Sequence, residues 1–159
     1  MSKIDKIDYD IVDLLMQDGR MPAAEIARRI GNGVSERSVR YRIERLVQDG
    51  MIRISAIPNP RALGFQVIAD VFIEVEAGYI SDVAHQLTEY ECISYVACSI
   101  GETDVSAQVI AHDTTEVYRF ITEVIGKMPG VRKTTTSIVP VILRDVYSWR
   151  IPTSQCMEE

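Results

Sequence analysis

What this chain has little of narrows its chemistry first. It carries two histidines, three cysteines and one tryptophan in 159 residues. Cys92, Cys98 and Cys156 form no CxxC pair and are odd in number, which excludes a zinc ribbon or a closed disulfide framework. Reduced thiols are expected, Cys98 in a strand and Cys156 in a polar tail. His85 falls on a predicted helix flank and His112 at a predicted strand end, neither with a Cys or carboxylate at metal-ligand spacing. No Gly-rich phosphate cradle appears. No catalytic residue and no metal site is therefore assigned, and no cofactor is expected. No apolar run reaches the roughly 18 residues of a membrane span. The acid-studded N-terminus lacks an apolar signal core, so neither membrane nor export is expected and the location expected is cytoplasmic. Repeats and low-complexity tracts are also missing. With 47% hydrophobic and 25% charged residues, the composition carries no sign of disorder and fits a globular chain.

The net charge of −6 argues at first against a nucleic-acid partner. Its distribution points the other way. Residues 1–57 hold ten Lys/Arg against nine Asp/Glu, and the remainder seven against fourteen. Between Arg20 and Arg45 there are seven Arg and three Glu, a local +4. Phosphate binding follows local cation density, so an acidic second half does not forbid it.

That basic stretch lies in a trihelical pattern. Ile4, Ile7, Ile11, Leu14 and Leu15 repeat at helical spacing, with Gly19 as the stop. Ala23, Ile26, Ala27 and Ile30 form the stripe of a second helix. Gly31-Asn32-Gly33 turns the chain, and a third helix runs from Ser35, a capping residue, to about Asp49, ended by Gly50. On it Val39, Ile43, Leu46 and Val47 make the buried stripe. Arg37, Tyr41 and Arg45 project oppositely with Ser38 beside them, and Arg40 and Arg42 flank the stripe. One apolar face and one face of long cationic and aromatic side chains suit a DNA major groove. The plain alternative is a solvated cationic face; the helical pattern, the Ser cap and the local charge together favour DNA.

Met51 to Ala56 alternates as a strand, and Pro58 and Pro60 then break the chain, placing a boundary at residues 57 and 58. From Val67 the period changes. A strand through Val71, Ile73 and Val75 precedes a helix marked by Ile80, Val83, Ala84 and Leu87. Strands at 93–100 and 104–111, a helix at 114–128 and a long strand at 131–145 follow, with Pro140 marking an edge or bulge. YSWRI from Tyr147 is expected as a short added strand. The order is the ferredoxin-like β-α-β-β-α-β. The fold class is thus α+β, a helix-turn-helix domain over 1–57 linked by a strand to a ferredoxin-like domain over 67–150, with 58–66 as linker and 151–159 as tail.

In that second domain the turn Gly101-Glu102-Thr103-Asp104 is a ligand candidate. A zwitterionic amino acid needs N–H donors for its carboxylate and an acid for its ammonium, and Gly101 allows close backbone approach. An ordinary hairpin turn is the bland alternative. Thr134 to Thr136 adds hydroxyls, of which Thr134 and Thr136 join the candidates; high β-propensity explains the run as well.

The combination resembles the Lrp/AsnC, or feast/famine, family of transcription regulators. The resemblance lies in YDIVDLLMQDGR, AEIARRIG, VSERSVRYRIERLVQDGMI and NPRALG, then VFIEVE, SIGETD and MPGV before a Thr-rich strand. It implies a homodimer formed by face-to-face sheets, assembling into octamers or other higher oligomers. It implies double-stranded DNA as a partner, and an amino acid or related small metabolite as effector near the SIGETD turn. By resemblance Ser35, Arg37, Ser38, Tyr41 and Arg42 fall on the DNA-reading helix, and Gly101, Thr103 and Asp104 on the effector loop. Two features depart from the family's pattern: the turn GNGV is longer by about two residues, and Glu102-Thr103 stands where an aromatic commonly precedes Asp. Two other functions share this scaffold. A sirohaem-decarboxylase-like enzyme would need His and Arg for substrate carboxylates, and a DNA-compacting oligomer would bind without sequence preference.

Overall fold

A computed structural model describes residues 4–152. The chain divides into two compact units, one running to Ile57 and taking up the chain again from Arg144, the other Pro58–Leu143.

The first unit is built on three helices: α1 (Lys6–Gln17), α2 (Ala23–Ile30) and α3 (Glu36–Gln48). Asp5 starts α1 through a reciprocal capping box, its carboxylate accepting from the Asp8 N–H at 2.8 Å while Asp8 accepts from the Asp5 N–H at 3.3 Å. Between α2 and α3, Gly31, Asn32 and Gly33 all take positive φ, and the Val34 N–H closes the turn on the Gly31 carbonyl. Gly50, at φ +68°, ends α3. The Met51 and Gly50 N–H groups donate to the Leu46 and Val47 carbonyls, a Schellman arrangement. Ile11, Ile26 and Val39 meet fully buried at the centre, with Ile7, Leu14, Ile30 and Ile43 around them. Each such side chain contributes about 1.5–3 kcal/mol on burial.

The second unit is a four-stranded antiparallel sheet in the order β2-β3-β1-β4, made from β1 (Val67–Val75), β2 (Ile93–Cys98), β3 (Val105–Ala111) and β4 (Val131–Ile138). Helices α4 (Ile80–Thr88) and α5 (Thr114–Arg119) complete the β-α-β-β-α-β order. In register, Val71 pairs with Ala107 on one side and Thr136 on the other. Val71, Ile73, Val105 and Val109 face the helices and bury against Val83, Leu87, Val117 and Ile125. Asp70, Phe72 and Glu74 alternate to the opposite face, where no element of the described chain covers Phe72 (39% exposed) or Tyr95 (49% exposed).

Several expected elements differ. Residues 51–57 are not a strand, because no segment of the described chain pairs with them; Ile54 and Ile57 stand half exposed. The last strand stops at Ile138 rather than 145. Val139 still donates to the Ile68 carbonyl at 2.8 Å, but β1 begins at Val67 and Pro140 has no N–H to give. The expected strand at YSWRI is a single 3-10 turn, Val146–Ser148. The helix from Thr114 loosens into a wide π turn over Phe120–Val124 and a 3-10 turn over Ile125–Lys127. Residues 144–150, expected with the second domain, group with the first. There Arg150 donates to the Asp13 carboxylate of α1 at 2.9 Å, and Ile151 lies by Tyr9, Val12 and Met16. Cys156 lies outside the described residues.

Candidate nucleic-acid interface and effector loop

Helix α3 presents its faces unequally. Val39 and Leu46 are fully buried, while Arg37 and Tyr41 project from the other side, Tyr41 with 67% of its surface free. Ser35 caps the helix by accepting from the Ser38 N–H at 3.2 Å, which leaves Ser38 half buried beside the exposed face. Val47, expected on the buried stripe, is 44% exposed, because it sits on the shoulder with Arg40 rather than over the core.

The arginines expected to meet DNA, Arg37 and Arg45 from the outer face and Arg40 and Arg42 from the flanks, separate into two groups. Arg45 does not project with Arg37 and Tyr41, and Arg42 does not reach outward. Arg42 donates through Nη1 to Asp5 at 2.7 Å and Asp8 at 2.8 Å, and Arg45 donates through Nη2 to the other oxygen of Asp8. The Asp8 carboxylate is completely buried, so it draws both guanidiniums inward rather than leaving a charge unpaired. Burial pushes the Asp5 carboxyl up, but the Asp8 N–H and the Arg42 guanidinium outweigh it and hold it below the usual aspartate range. Arg40 pairs with Glu36 on its own helix, and Arg28 and Arg29 share Glu25 on α2. Of the seven arginines between Arg20 and Arg45, only Arg20 and Arg37 lack an acidic partner among the described residues. Asp5 and Asp8 were missed in the sequence. The signal was there, since Asp8 lies within the apolar stripe of α1 beside Ile11 and Val12.

In the second unit, Gly101 to Asp104 form a tight connection from β2 to β3. The Ser99 N–H donates to the Asp104 carbonyl at 2.8 Å, and the Asp104 N–H to the Ile73 carbonyl at 3.0 Å. Gly101 takes φ +150°, a conformation that favours glycine. Glu102 is exposed and Thr103 half buried. The Asp104 carboxylate is already engaged. One oxygen accepts from the Val75 N–H at 2.7 Å and lies 3.8 Å from Arg132. Thr134 pairs across β1 from this loop, opposite Ile73, so it stands at the same sheet end. Thr136 pairs with Val71, further from the loop. His112 stacks on Phe65 with ring centroids 4.3 Å apart and faces Glu116 at 3.1 Å; among the described residues His85 bonds to the Ser81 carbonyl and hydroxyl of its own helix.

Two family descriptions match nearly the whole described chain. Residues 4–47 match an AsnC-type helix-turn-helix domain, and residues 53–151 match an AsnC-type C-terminal dimeric alpha+beta barrel domain. The chain belongs to the Lrp/AsnC family. Among the regulators related to it, the HTH-type transcriptional regulator FL11 of Pyrococcus abyssi is 37% identical over 86% of this chain and 89% of its own. An uncharacterized HTH-type transcriptional regulator of Pyrococcus horikoshii is 35% identical over 92% of each chain. In fold, the chain is similar to AsnC of E. coli (TM-score 0.83, 23% identity, 92% of this chain and 99% of that one). It is also similar to a Neisseria meningitidis transcriptional regulator solved in complex with L-Met (TM-score 0.85, 20% identity, 92% and 96%). As a member of the Lrp/AsnC family the chain is a transcriptional regulator with a DNA-binding helix-turn-helix and a self-associating C-terminal domain. Among the described residues no helix is long and apolar enough to cross a membrane, and no group of three or more His, Cys, Asp or Glu is placed to hold a metal ion.

Proposed function

We propose that this Lrp/AsnC protein reads specific DNA sequences as a dimer and is tuned by an amino acid or related small metabolite held at the Gly101–Asp104 end of its ligand domains. The observation that carries the DNA reading is the exposed pair Arg37 and Tyr41 on a capped helix packed by its opposite face. Arg37 has no acidic partner among the described residues, so its guanidinium is available for a bidentate bond to a base edge. A dimer would set two such helices against half-sites about one helical turn, or a multiple, apart. Three observations support the effector: a glycine-opened loop, the hydroxyl-bearing residues Thr103 in that loop and Thr134 at the same sheet end, and a neighbour of the same fold solved with L-Met. An effector shifts the regulator only by binding two of its states unequally. The related regulators, FL11 among them, support a regulator over an enzyme on this scaffold.

Selection of bound duplexes from a random-sequence library tests the proposal, repeated with each amino acid present. A consensus with two related half-sites is expected, and Arg37→Ala should weaken binding to it by about 1–3 kcal/mol while barely altering affinity for unrelated duplex. Recovery of no preferred sequence would leave a DNA-compacting oligomer in its place.

A further inference from the structure

We infer that Asp8, with Asp5 beside it, is a positioning residue for the DNA-reading helix: it withdraws Arg42 and Arg45 from the duplex-facing set and fixes the register in which Arg37 and Tyr41 are presented. The inference rests on the DNA-reading role proposed above and goes beyond it by naming what aims the helix. The Asp8 side chain is 0% exposed, and each of its oxygens takes an arginine of α3, Arg42 on Oδ1 and Arg45 on Oδ2. Asp5 takes a second bond from the same Arg42 Nη1 at 2.7 Å. The capping box locks the two acids to each other, so they form one rigid acceptor at the start of α1.

Spacing makes the arrangement work. Asp5 and Asp8 are three residues apart at the head of α1, and Arg42 and Arg45 are three apart on one shoulder of α3, so the helices are joined by two rungs rather than one. Two carboxylates face two guanidiniums, which leaves the cluster neutral and gives a phosphate nothing to neutralise. A buried ion pair adds little net stability over apolar packing, because desolvation offsets the attraction. Its best-attested use is to specify one arrangement among several. Here Val39, Ile43 and Leu46 are non-directional contacts that tolerate a small roll of α3; two ion rungs with fixed geometry do not.

The test compares binding to a duplex recovered by the library selection with binding to poly(dI-dC), each over a salt series. Asp8→Asn should lower affinity for the selected duplex about tenfold. It should also tighten binding to poly(dI-dC) and steepen the salt slope by about one, as freed guanidiniums reach phosphate. A merely structural role would weaken both. Asp5→Asn keeps a helix cap, since Asn serves as well as Asp there, and should show the same signs at smaller size even where Asp8→Asn fails to fold. Arg42→Ala and Arg45→Ala should leave the salt slope unchanged. Flattening of that slope by about 0.9 in either folded arginine variant would mark a phosphate contact and overturn the inference, leaving DNA reading intact. An unchanged ratio of selected to poly(dI-dC) affinity in Asp5→Asn would also overturn it. Failure of the unaltered protein to prefer any duplex would instead remove the DNA-reading role, and this inference with it.

Discussion

Arg37 and Arg42 share one helix and one charge, and differ in what lies within reach. An acid completely buried on α1 claims Arg42, while nothing described claims Arg37. The same logic of prior engagement applies to Asp104. Its carboxylate is the hydrogen-bond partner of the Val75 N–H, so it holds the loop in place before any ligand arrives. Asp104→Ala should therefore lower the stability of the second unit by about 1–3 kcal/mol, because it strands a backbone donor. Thermal unfolding with and without each amino acid separates this from ligand loss. A variant that melts lower and still gains stability from an amino acid keeps its site, whereas one that melts as the unaltered protein does would show that the Val75 bond counts for little.

Elements that announce themselves locally were legible in the sequence. Ser35 and Gly50 each mark a helix end through a bond to backbone a few residues away, and both do so in the structure. Alternation placed the four strands because each found a neighbour. Met51–Ala56 alternates too, but a strand is a paired object and no described segment pairs with it. Charge pairing was the hardest to read, since Arg42 and Asp5 are 37 positions apart and helical spacing alone cannot say which arginine will fold back. The cap of α3 allows stability and recognition to be separated at this scale. Ser35→Ala should cost the first unit about 1 kcal/mol. Ser35→Asp should retain the cap and suit the helix dipole, yet weaken DNA binding by setting a negative charge where phosphate approaches. Calorimetry for the one and salt-dependent anisotropy for the other give the two numbers. Equal DNA binding by Ser35→Asp would place the helix N-terminus away from the duplex backbone.

At the scale of the whole molecule, the two units divide the charge as well as the work. The near-neutral first unit holds ten of the thirteen arginines, and the acidic second unit carries a sheet whose outer face no described element covers. That face mixes the aromatic surfaces of Phe72 and Tyr95 with satisfied polar groups, Gln108 donating to Asp70 at 2.9 Å and Ser94 to Gln108 at 3.1 Å. Exposed aromatics ringed by hydrogen-bonded polar residues suit a protein interface, and the family's C-terminal domain is a dimeric one. In a two-fold pairing each side chain meets the same patch of the partner, so one substitution acts on both subunits. Phe72→Asp sets a third acid beside Asp70 and Glu74 on β1, and in a two-fold pairing it adds that charge on both sides of the axis. It should weaken self-association by roughly tenfold to a hundredfold while leaving helix content unchanged, read by sedimentation and circular dichroism. DNA affinity should fall with it, because a lone subunit offers one recognition helix where the dimer offers two. A Phe72→Asp protein that sediments as the unaltered one does would move the dimer contact to another surface, and with it the spacing expected between half-sites.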